Sequence, residues 1–155
     1  MKITEKWITK NKPCIEGINW AKEHKLIGTD RVKFITALMS AGKLDWANWL
    51  IVRTMAYKQY VQYAVYAAEQ VIKIYEDKHP NDKRPREAID AAKECIKNPS
   101  AKNKKAANSA YSAAYLAYLA AYLAAYSADN SANSAAYSAM KQKILLYGVS
   151  LIKKG

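Results

Sequence analysis

The sequence predicts an all-α protein: a compact multi-helix bundle whose C-terminal helices are rich in Ala and Tyr. No Gly or Pro interrupts the chain between Pro99 and Gly148, and Ala, which is abundant there, has the highest helix propensity of all residues. Elsewhere apolar residues recur three or four positions apart, and there is neither a strand-like alternation nor an Asn-Gly hairpin turn. These observations predict helices throughout.

The N-terminal part divides into short helices. The first is predicted over residues 14–24, with Pro13 in its first turn, where proline is tolerated because its missing N–H has no helical partner. Thr29 or Asp30 can cap a second helix that ends at Gly42. Asp45 is predicted to cap a third. One face of that third helix carries Trp46, Trp49, Leu50 and Arg53.

Prolines delimit the next two helices. A long helix is predicted over residues 57–78, ending before the loop at Pro80, because a residue that precedes proline is driven out of helical geometry. Pro85 begins a helix that ends near Asn98, and the Ala/Tyr-rich region starts directly afterwards.

The Ala/Tyr-rich region has an 11-residue repeat that follows one side of a nearly straight helix. The repeat positions are Tyr111, Tyr115, Tyr118, Tyr122, Tyr126, Asp129, Asn133, Tyr137, Met140 and Ile144. An unbroken helix over residues 101–153 would be on the order of 80 Å long. We therefore expect a break at residues 129–131 and two antiparallel helices; one long rod is the alternative if the protein forms a homo-oligomer.

The length of 155 residues is typical of a single domain. We predict one all-helical domain over residues 1–155, with a helical N-terminal portion at 1–98 and the Ala/Tyr-rich portion at 99–155. The longest apolar run, residues 113–126, is too short to cross a bilayer, and the N-terminal residues lack the apolar core of a signal peptide. A cytoplasmic protein without a membrane partner is expected.

Motifs of known chemistry are missing from the sequence. It contains no Gly-rich phosphate loop and no HExxH motif, and its two histidines, His24 and His79, are not spaced with other ligands. Cys14 and Cys95 lie far apart and are expected to be buried thiols. The sequence therefore predicts a non-enzymatic protein without a metal or other cofactor.

The tyrosine-bearing face of the Ala/Tyr-rich region has two interpretations. It can pack into the core, where Ser and Asn side chains satisfy the tyrosine hydroxyls. Alternatively, it can line a ligand-binding groove in which Asp129 and Asn133 are the polar contacts.

Three short strings, at residues 13–20 (PCIEGINW), 45–50 (DWANWL) and 84–92 (RPREAIDAA), precede the Ala/aromatic tract. In order and spacing they resemble the small all-helical immunity proteins of bacterial polymorphic-toxin loci and phage genomes. The resemblance implies a non-enzymatic protein that neutralises a partner. Many nuclease-neutralising immunity proteins are acidic, so the formal charge of +12 departs from that pattern.

The arginines of these strings give two hypotheses. In the first, Asp45, Glu69, Arg53, Arg84, Arg86 and Asp90 form an internal ion-pair network that joins the Trp-bearing helix to the start of the Arg-Pro-Arg helix. In the second, a nucleotide-sized anion binds in a pocket, with guanidinium groups on its phosphate and aromatic rings on its base. The residues of that pocket are Arg53, Arg84, Arg86, Trp46, Trp49, Tyr60 and Tyr63.

Two classes of function follow. The first is an inhibitory protein, for toxin immunity or phage counter-defence, that sequesters a protein toxin, a defence protein or an anionic nucleotide signal. The second is a nucleic-acid-binding protein that acts through general phosphate attraction, which the charge of +12 supports although no recognition motif is present. A purely structural role in assembly would instead give a stable oligomer without a ligand.

Overall fold

The structure, a computed structural model, describes residues 1–102, 105 and 130–154, without the side chains of residues 78 and 130–134. These residues form α-helices and no β-strand, so the predicted all-α fold class is confirmed. The helices are α1 (Glu5–Asn11), α2 (Ile15–Glu23), α3 (Arg31–Ser40), α4 (Leu44–Thr54), α5 (Tyr57–Lys78), α6 (Arg84–Lys97) and α7 (Asn130–Lys154).

Several helix ends follow the sequence signals. Asp30 is the N-cap of α3, and its Oδ1 accepts a hydrogen bond from the Val32 N–H at 2.8 Å. Helix α5 spans the predicted residues, and Pro85 lies in the first turn of α6 as expected.

Two predicted starts are wrong, and one helix was not predicted. The N-cap of α4 is Lys43, so Asp45 lies inside the first turn, where its charge favours the helix dipole. Helix α2 begins at Ile15 with Cys14 as its N-cap, so Pro13 precedes the helix. Helix α1 has only seven residues, and so short a segment shows too little of the helical period to be recognised.

The first compact unit comprises Met1–Met55 and Gly148–Gly155. Within it α3 packs against α4. Its buried apolar side chains are Ile3, Ile8, Ala21, Leu26, Phe34, Ile35, Leu38, Leu44, Ala47, Leu50, Ile51, Val149 and Ile152. Burying one such Ile, Leu or Phe side chain contributes roughly 1.5–3 kcal/mol, which makes this apolar set the main stabilising feature of the unit.

A half-buried arginine ties two helix ends together in this first unit. The guanidinium of Arg31 donates one hydrogen bond to the carbonyl of Thr54, the last residue of α4. It donates another to the carbonyl of Ile152 in the last turn of α7, at 3.0 Å. Carbonyls in a last helical turn have no intrahelical partner, so a cation placed there satisfies them and also complements the helix dipole.

The second compact unit comprises Ala56–Tyr147. Helix α5 packs against α6 through a buried cluster of Val61, Val65, Ala68, Ile72, Ile89, Ala92 and Cys95. The ring of Tyr66 on α5 also stacks on the ring of Tyr147 on α7, with centroids 3.9 Å apart. Three helices of the described part of this unit are therefore joined through apolar and aromatic contacts.

Two expectations about organisation stay predictions. The single domain over residues 1–155 is one of them. The other is the break at residues 129–131: Asn130 and Ser131 belong to α7, whereas Asp129 lies outside the described residues. Most tyrosines of the 11-residue repeat lie outside them as well, so the choice between core packing and a groove also stays open.

Candidate functional site: an aromatic cavity and a row of ion pairs

Helices α1 to α4 of the first unit surround a cavity of about 280 Å³. Buried apolar side chains form one part of its lining, which we call the floor, and Trp7, Trp46 and Trp49 belong to the remainder, which we call the wall. The lining residues are Ile3, Trp7, Ile8, Pro13, Cys14, Gly17, Ile18, Ala21, Phe34, Leu38, Asp45, Trp46, Trp49 and Leu50. An apolar floor with few polar groups is typical of a small-molecule site.

The tryptophans of the cavity have defined ring geometries. Trp7 and Trp49 meet edge to face, with centroids 6.0 Å apart and planes at 89°. Trp46 contacts Trp20 in a similar arrangement, at 6.3 Å and 67°, while Trp20 itself stacks on His24 at 4.1 Å. Edge-to-face pairs contribute roughly 0.5–1.5 kcal/mol beyond their buried area, so these rings hold one another in place.

Two cations lie over the indole rings of α4. The guanidinium carbon of Arg53 is 4.0 Å from the ring centroid of Trp49, and its Nη1 donates to the Trp49 carbonyl at 3.2 Å. The ammonium of Lys43 is 4.9 Å from the ring centroid of Trp46. The structure thus brings together three of the predicted pocket residues: Arg53, Trp46 and Trp49.

Bidentate and single ion pairs join α5 to α6 in the second unit. Arg86 donates from Nε and Nη2 to the two carboxylate oxygens of Glu76, at 2.8 and 2.7 Å. Lys93 lies 2.8 Å from Glu69 and 3.7 Å from Asp90. The hydrogen bonds from Arg86 lower the pKa of the Glu76 carboxyl, and the bond to Glu69 raises the pKa of Lys93. We call Glu69, Glu76, Arg86 and Lys93 the ion-pair row.

A separate carboxylate organises the loop between α5 and α6. Asp82 accepts hydrogen bonds from Arg84 Nε at 2.9 Å and Nη2 at 2.7 Å, and from the Tyr75 hydroxyl at 2.8 Å. These donors, Arg84 first, lower the pKa of Asp82 well below its usual range, and Asp82 in turn raises the pKa of Tyr75. Arg84 is therefore engaged locally, in a pair that is exposed on the arginine side.

The two predicted tyrosines lie on α5. Tyr63 is only 4% exposed, and burial raises the pKa of its hydroxyl. Tyr60 is half-buried and packs against the apolar cluster between α5 and α6. Asn133 lies in α7, but its side chain and the whole of Asp129 are outside the described residues, so their proposed contacts stay predictions.

The ion-pair network predicted from the sequence is partly wrong about the carboxylates with which the arginines pair. Arg84 and Arg86 do pair with carboxylates, but these are Asp82 and Glu76. Asp45 lines the cavity, and Arg53 covers Trp49. The pairs are also half-exposed: the side chains of Arg86 and Glu76 are 39% and 32% accessible.

Several residues of the cavity and of the ion-pair row were not predicted from the sequence. Glu69 and Glu76 are seven positions apart on α5, as are Arg86 and Lys93 on α6. Seven residues are close to two helical turns, so each pair shares one face, and this spacing of opposite charges could have predicted the ion-pair row. No such pattern marks Trp7 or Gly17 as cavity residues. Cys14, expected to be buried, is exposed at the cavity, which corrects that prediction; Cys95 is buried as expected.

The described residues contain neither a metal-binding cluster nor a helix suited to cross a bilayer. Over residues 1–102, 105 and 130–154, no three His, Cys, Asp or Glu side chains lie close enough together to bind a metal ion. Across the same ranges, none of the helices combines the length and apolar character that a bilayer crossing requires.

Comparison with known proteins identifies the family. The model of the family described as Imm-5 like putative immunity protein matches residues 51–146, more than half of the chain. The chain therefore belongs to this family, and its predicted resemblance to immunity proteins is confirmed. The string at residues 84–92 lies within the match, whereas those at 13–20 and 45–50 precede it. No curated protein and no solved structure matches the chain.

Proposed function

We propose that this member of the immunity-protein family neutralises a protein toxin by binding it, and that it catalyses no reaction. Family membership over residues 51–146 is the observation that carries the proposal, because an immunity family implies a bound partner, a protein toxin above all. Phage counter-defence would also depend on binding, with a defence protein as the partner in place of a toxin.

The contacts of the arginines favour a protein over an anionic nucleotide signal. Arg84 and Arg86 are the second-unit arginines that were predicted to bind a phosphate. Each of their guanidinium groups already donates two hydrogen bonds to a carboxylate. A phosphate would have to displace Asp82 and Glu76, and each displacement would expose a carboxylate without its partner. Binding of a nucleotide by these two residues is therefore the weaker hypothesis.

General attraction to nucleic acid is the remaining alternative. It is supported by the formal charge of +12, carried mostly by lysine. Such binding weakens steeply and log-linearly with salt for any sequence, since each phosphate contact releases a counterion. A protein partner held through apolar contacts should stay bound at moderate salt.

Exposed apolar side chains suggest where the partner binds. Ile74 on α5 and Leu146 on α7 are 42% and 61% exposed and lie within the family-matched residues. Ile15 on α2 is also exposed, at 62%, but precedes the match. Burying such a side chain against a partner contributes roughly 1.5–3 kcal/mol, so we take the exposed apolar residues of the matched range as the positions at which to test the partner surface. The proposed partner surface therefore includes Ile74 and Leu146.

The decisive experiment is co-expression of the full chain with the toxin domain encoded beside its gene. We expect restored growth and a stoichiometric complex that survives moderate salt on gel filtration. Ile74→Glu and Leu146→Glu should each weaken the complex about tenfold or more, because a buried charge at an apolar contact costs about 1.4 kcal/mol or more. Ile15→Glu is the matched control and should leave neutralisation unchanged.

Three results would contradict the proposed function, its surface or its partner. If the unaltered chain neither restores growth nor binds the toxin, the immunity function is wrong. If Ile15→Glu impairs neutralisation as much as Ile74→Glu, the proposed surface is wrong. If instead nucleotides at 100 times their dissociation constant raise the stability of the isolated chain by about 2.7 kcal/mol, sequestration of a nucleotide replaces the protein partner.

A further inference from the structure

The cavity of the first unit is large enough to hold a ligand. An engineered apolar cavity of about 150 Å³ stays dry and binds benzene, whereas this one has a volume of about 280 Å³. It has room for roughly ten non-hydrogen atoms on the same scale. All its lining residues lie between Ile3 and Leu50, so none belongs to the family-matched range that supports the proposed function.

Gly17 keeps part of the cavity wall open. It lies inside α2, where glycine costs roughly 1 kcal/mol relative to alanine. Neither a left-handed backbone nor a close backbone neighbour requires a glycine here: an added Cβ would meet only the Cys14 Sγ, at 3.3 Å. Alanine would therefore favour the helix with only a small shift of one flexible side chain. The glycine lowers helix propensity at a position where a side chain would reduce the cavity.

The chemistry of the lining indicates the ligand class. The floor is apolar and buried, with Ile3 1% and Leu38 3% exposed. Among the described residues that line the cavity, Asp45 is the charged one; it is exposed, as is Cys14. Lys43 lies over the ring of Trp46 and Arg53 over the ring of Trp49, which shows that these two indole rings accept cations. Flat rings and a carboxylate together suit an apolar ring that carries a positive charge.

We infer that the cavity binds a small aromatic amine. Its ring system lies among Trp7, Trp46 and Trp49, and its ammonium group interacts with the carboxylate of Asp45. This inference is independent of the proposed toxin binding, since it concerns a different part of the chain. Burial of the ring provides most of the affinity, because the lining is mainly apolar.

Exposed Cys14 provides the test. The full chain is alkylated with iodoacetamide in the presence of three matched probes: 1-naphthylmethylamine, 1-naphthalenemethanol and 1-naphthoate. We expect the amine to slow alkylation of Cys14 about tenfold at ten times its dissociation constant, since a bound ligand excludes the reagent by mass action. The alcohol should protect at higher concentration only, and the anionic naphthoate least. Cys14→Ser removes the labelling and identifies the reacting residue, because Cys95 is buried.

Variants of α2 distinguish the cavity from the protein surface. Gly17→Leu should abolish protection by filling the cavity, whereas Asn19→Leu, at an exposed position of the same helix outside the lining, should leave protection intact. Gly17→Ala is a milder second variant that should fold at least as stably and weaken protection. Asp45→Asn should remove the preference for the amine over the alcohol.

Two kinds of result would overturn the inferred binding of an aromatic amine. If none of the three probes protects Cys14, or if protection persists in folded Gly17→Leu and Gly17→Ala, no ligand occupies the cavity. If naphthoate protects as well as the amine, the role of Asp45 is wrong and the ligand class with it. Loss of toxin neutralisation in Ile74→Glu would leave all these outcomes unchanged, so the two proposals fail separately.

Discussion

In the described residues, the first unit (Met1–Met55 with Gly148–Gly155) and the second (Ala56–Tyr147) both contain α-helices with buried apolar side chains, but their arginines have different partners. In the second unit the ion-pair row connects α5 to α6 through Glu76 and Arg86, and Glu69 and Lys93. In the first unit Arg31 donates to backbone carbonyls, and Arg53 lies over an indole ring.

This difference has a physical consequence. A backbone carbonyl and an indole ring do not titrate in the acid range, whereas a carboxylate is protonated there and becomes neutral. We therefore expect contacts within the second unit to depend on pH through their carboxylates, and the described arginine contacts of the first unit to depend on it much less. The units also differ in kinship, since nearly all of the family match lies in the second.

The largest expected effect on the free energy of unfolding comes from removing a buried apolar side chain, a feature that both units share. Ile35 in the first unit and Ile89 in the second are 0% and 3% exposed. Replacing either by Ala should lower the free energy of unfolding by about 2–5 kcal/mol, because transfer and cavity terms add. Urea unfolding followed by circular dichroism measures the loss.

Ile15→Ala is the control for both changes, since Ile15 is 62% exposed and should cost less than about 0.5 kcal/mol. A loss in Ile35→Ala no larger than in Ile15→Ala would contradict the burial assigned to the first unit. The same result for Ile89→Ala would contradict the cluster between α5 and α6.

A smaller effect is expected from the arginine of the first unit. Arg31→Met keeps an apolar stem of similar length but leaves the carbonyls of Thr54 and Ile152 without this donor. Because hydrogen bonds to charged groups contribute about 1.5–3 kcal/mol, we expect a loss of about 2 kcal/mol in unfolding free energy. Lys33→Met, at an exposed position of the same helix, should change it little. Equal losses in both variants would show that the carbonyl contacts do not matter.

The smallest effect should appear only in acid. Arg86 lowers the pKa of Glu76 from 4.5, and Arg84 and Tyr75 lower that of Asp82 from 3.8. A folded-state pKa below the unfolded one means that the stabilisation is present above the unfolded pKa and is lost as pH falls through the folded one. Hydrogen exchange in α5 and α6 should therefore accelerate below about pH 4, more than exchange in α4. Helix α3 is left out of the comparison because the hydrogen bond from the Val32 N–H also lowers the pKa of its N-cap, Asp30.

Glu76→Gln sharpens this comparison. It should remove part of the acid dependence in α5 and α6 and slightly raise exchange at neutral pH, where the carboxylate of Glu76 is charged. Asp77→Asn, at the neighbouring exposed position, should leave the profile unchanged. If α4 responds to acid as strongly as α5 and α6, the contrast between the units does not hold.

Local signals explain which helices could be predicted. Helix α5 has 22 residues and matches its predicted bounds because a long segment repeats its apolar period several times and a proline follows it. Asp30 could be recognised as a cap from its residue type. Asp45 was predicted as a cap for the same reason, because its residue type suits that position. This prediction is wrong, since the helix begins one residue before Asp45. Helix α1 is too short to show a period.

The candidate site was harder to predict because its residues come from several helices. Trp46, Trp49 and Arg53 share α4, and their spacing alone placed them on one face. Trp7 meets Trp49 from another helix, across 42 sequence positions of separation that carry no periodic signal. The partner of Arg86 is Glu76 on α5, whereas the predicted network contained Glu69 and Asp90.

The sequence by itself determined the helical class, the bounds of α5, the cap of α3 and the kinship with immunity proteins, because each depends on neighbouring residues or on the order of short strings along the chain. Tertiary structure alone decided which carboxylate each arginine binds, that Cys14 is exposed, and that Gly17 borders a cavity. The physical reason is range. Helix propensity and capping act within a few residues, whereas ion pairs and cavities depend on how separate helices pack, and one face of a helix is compatible with several partners.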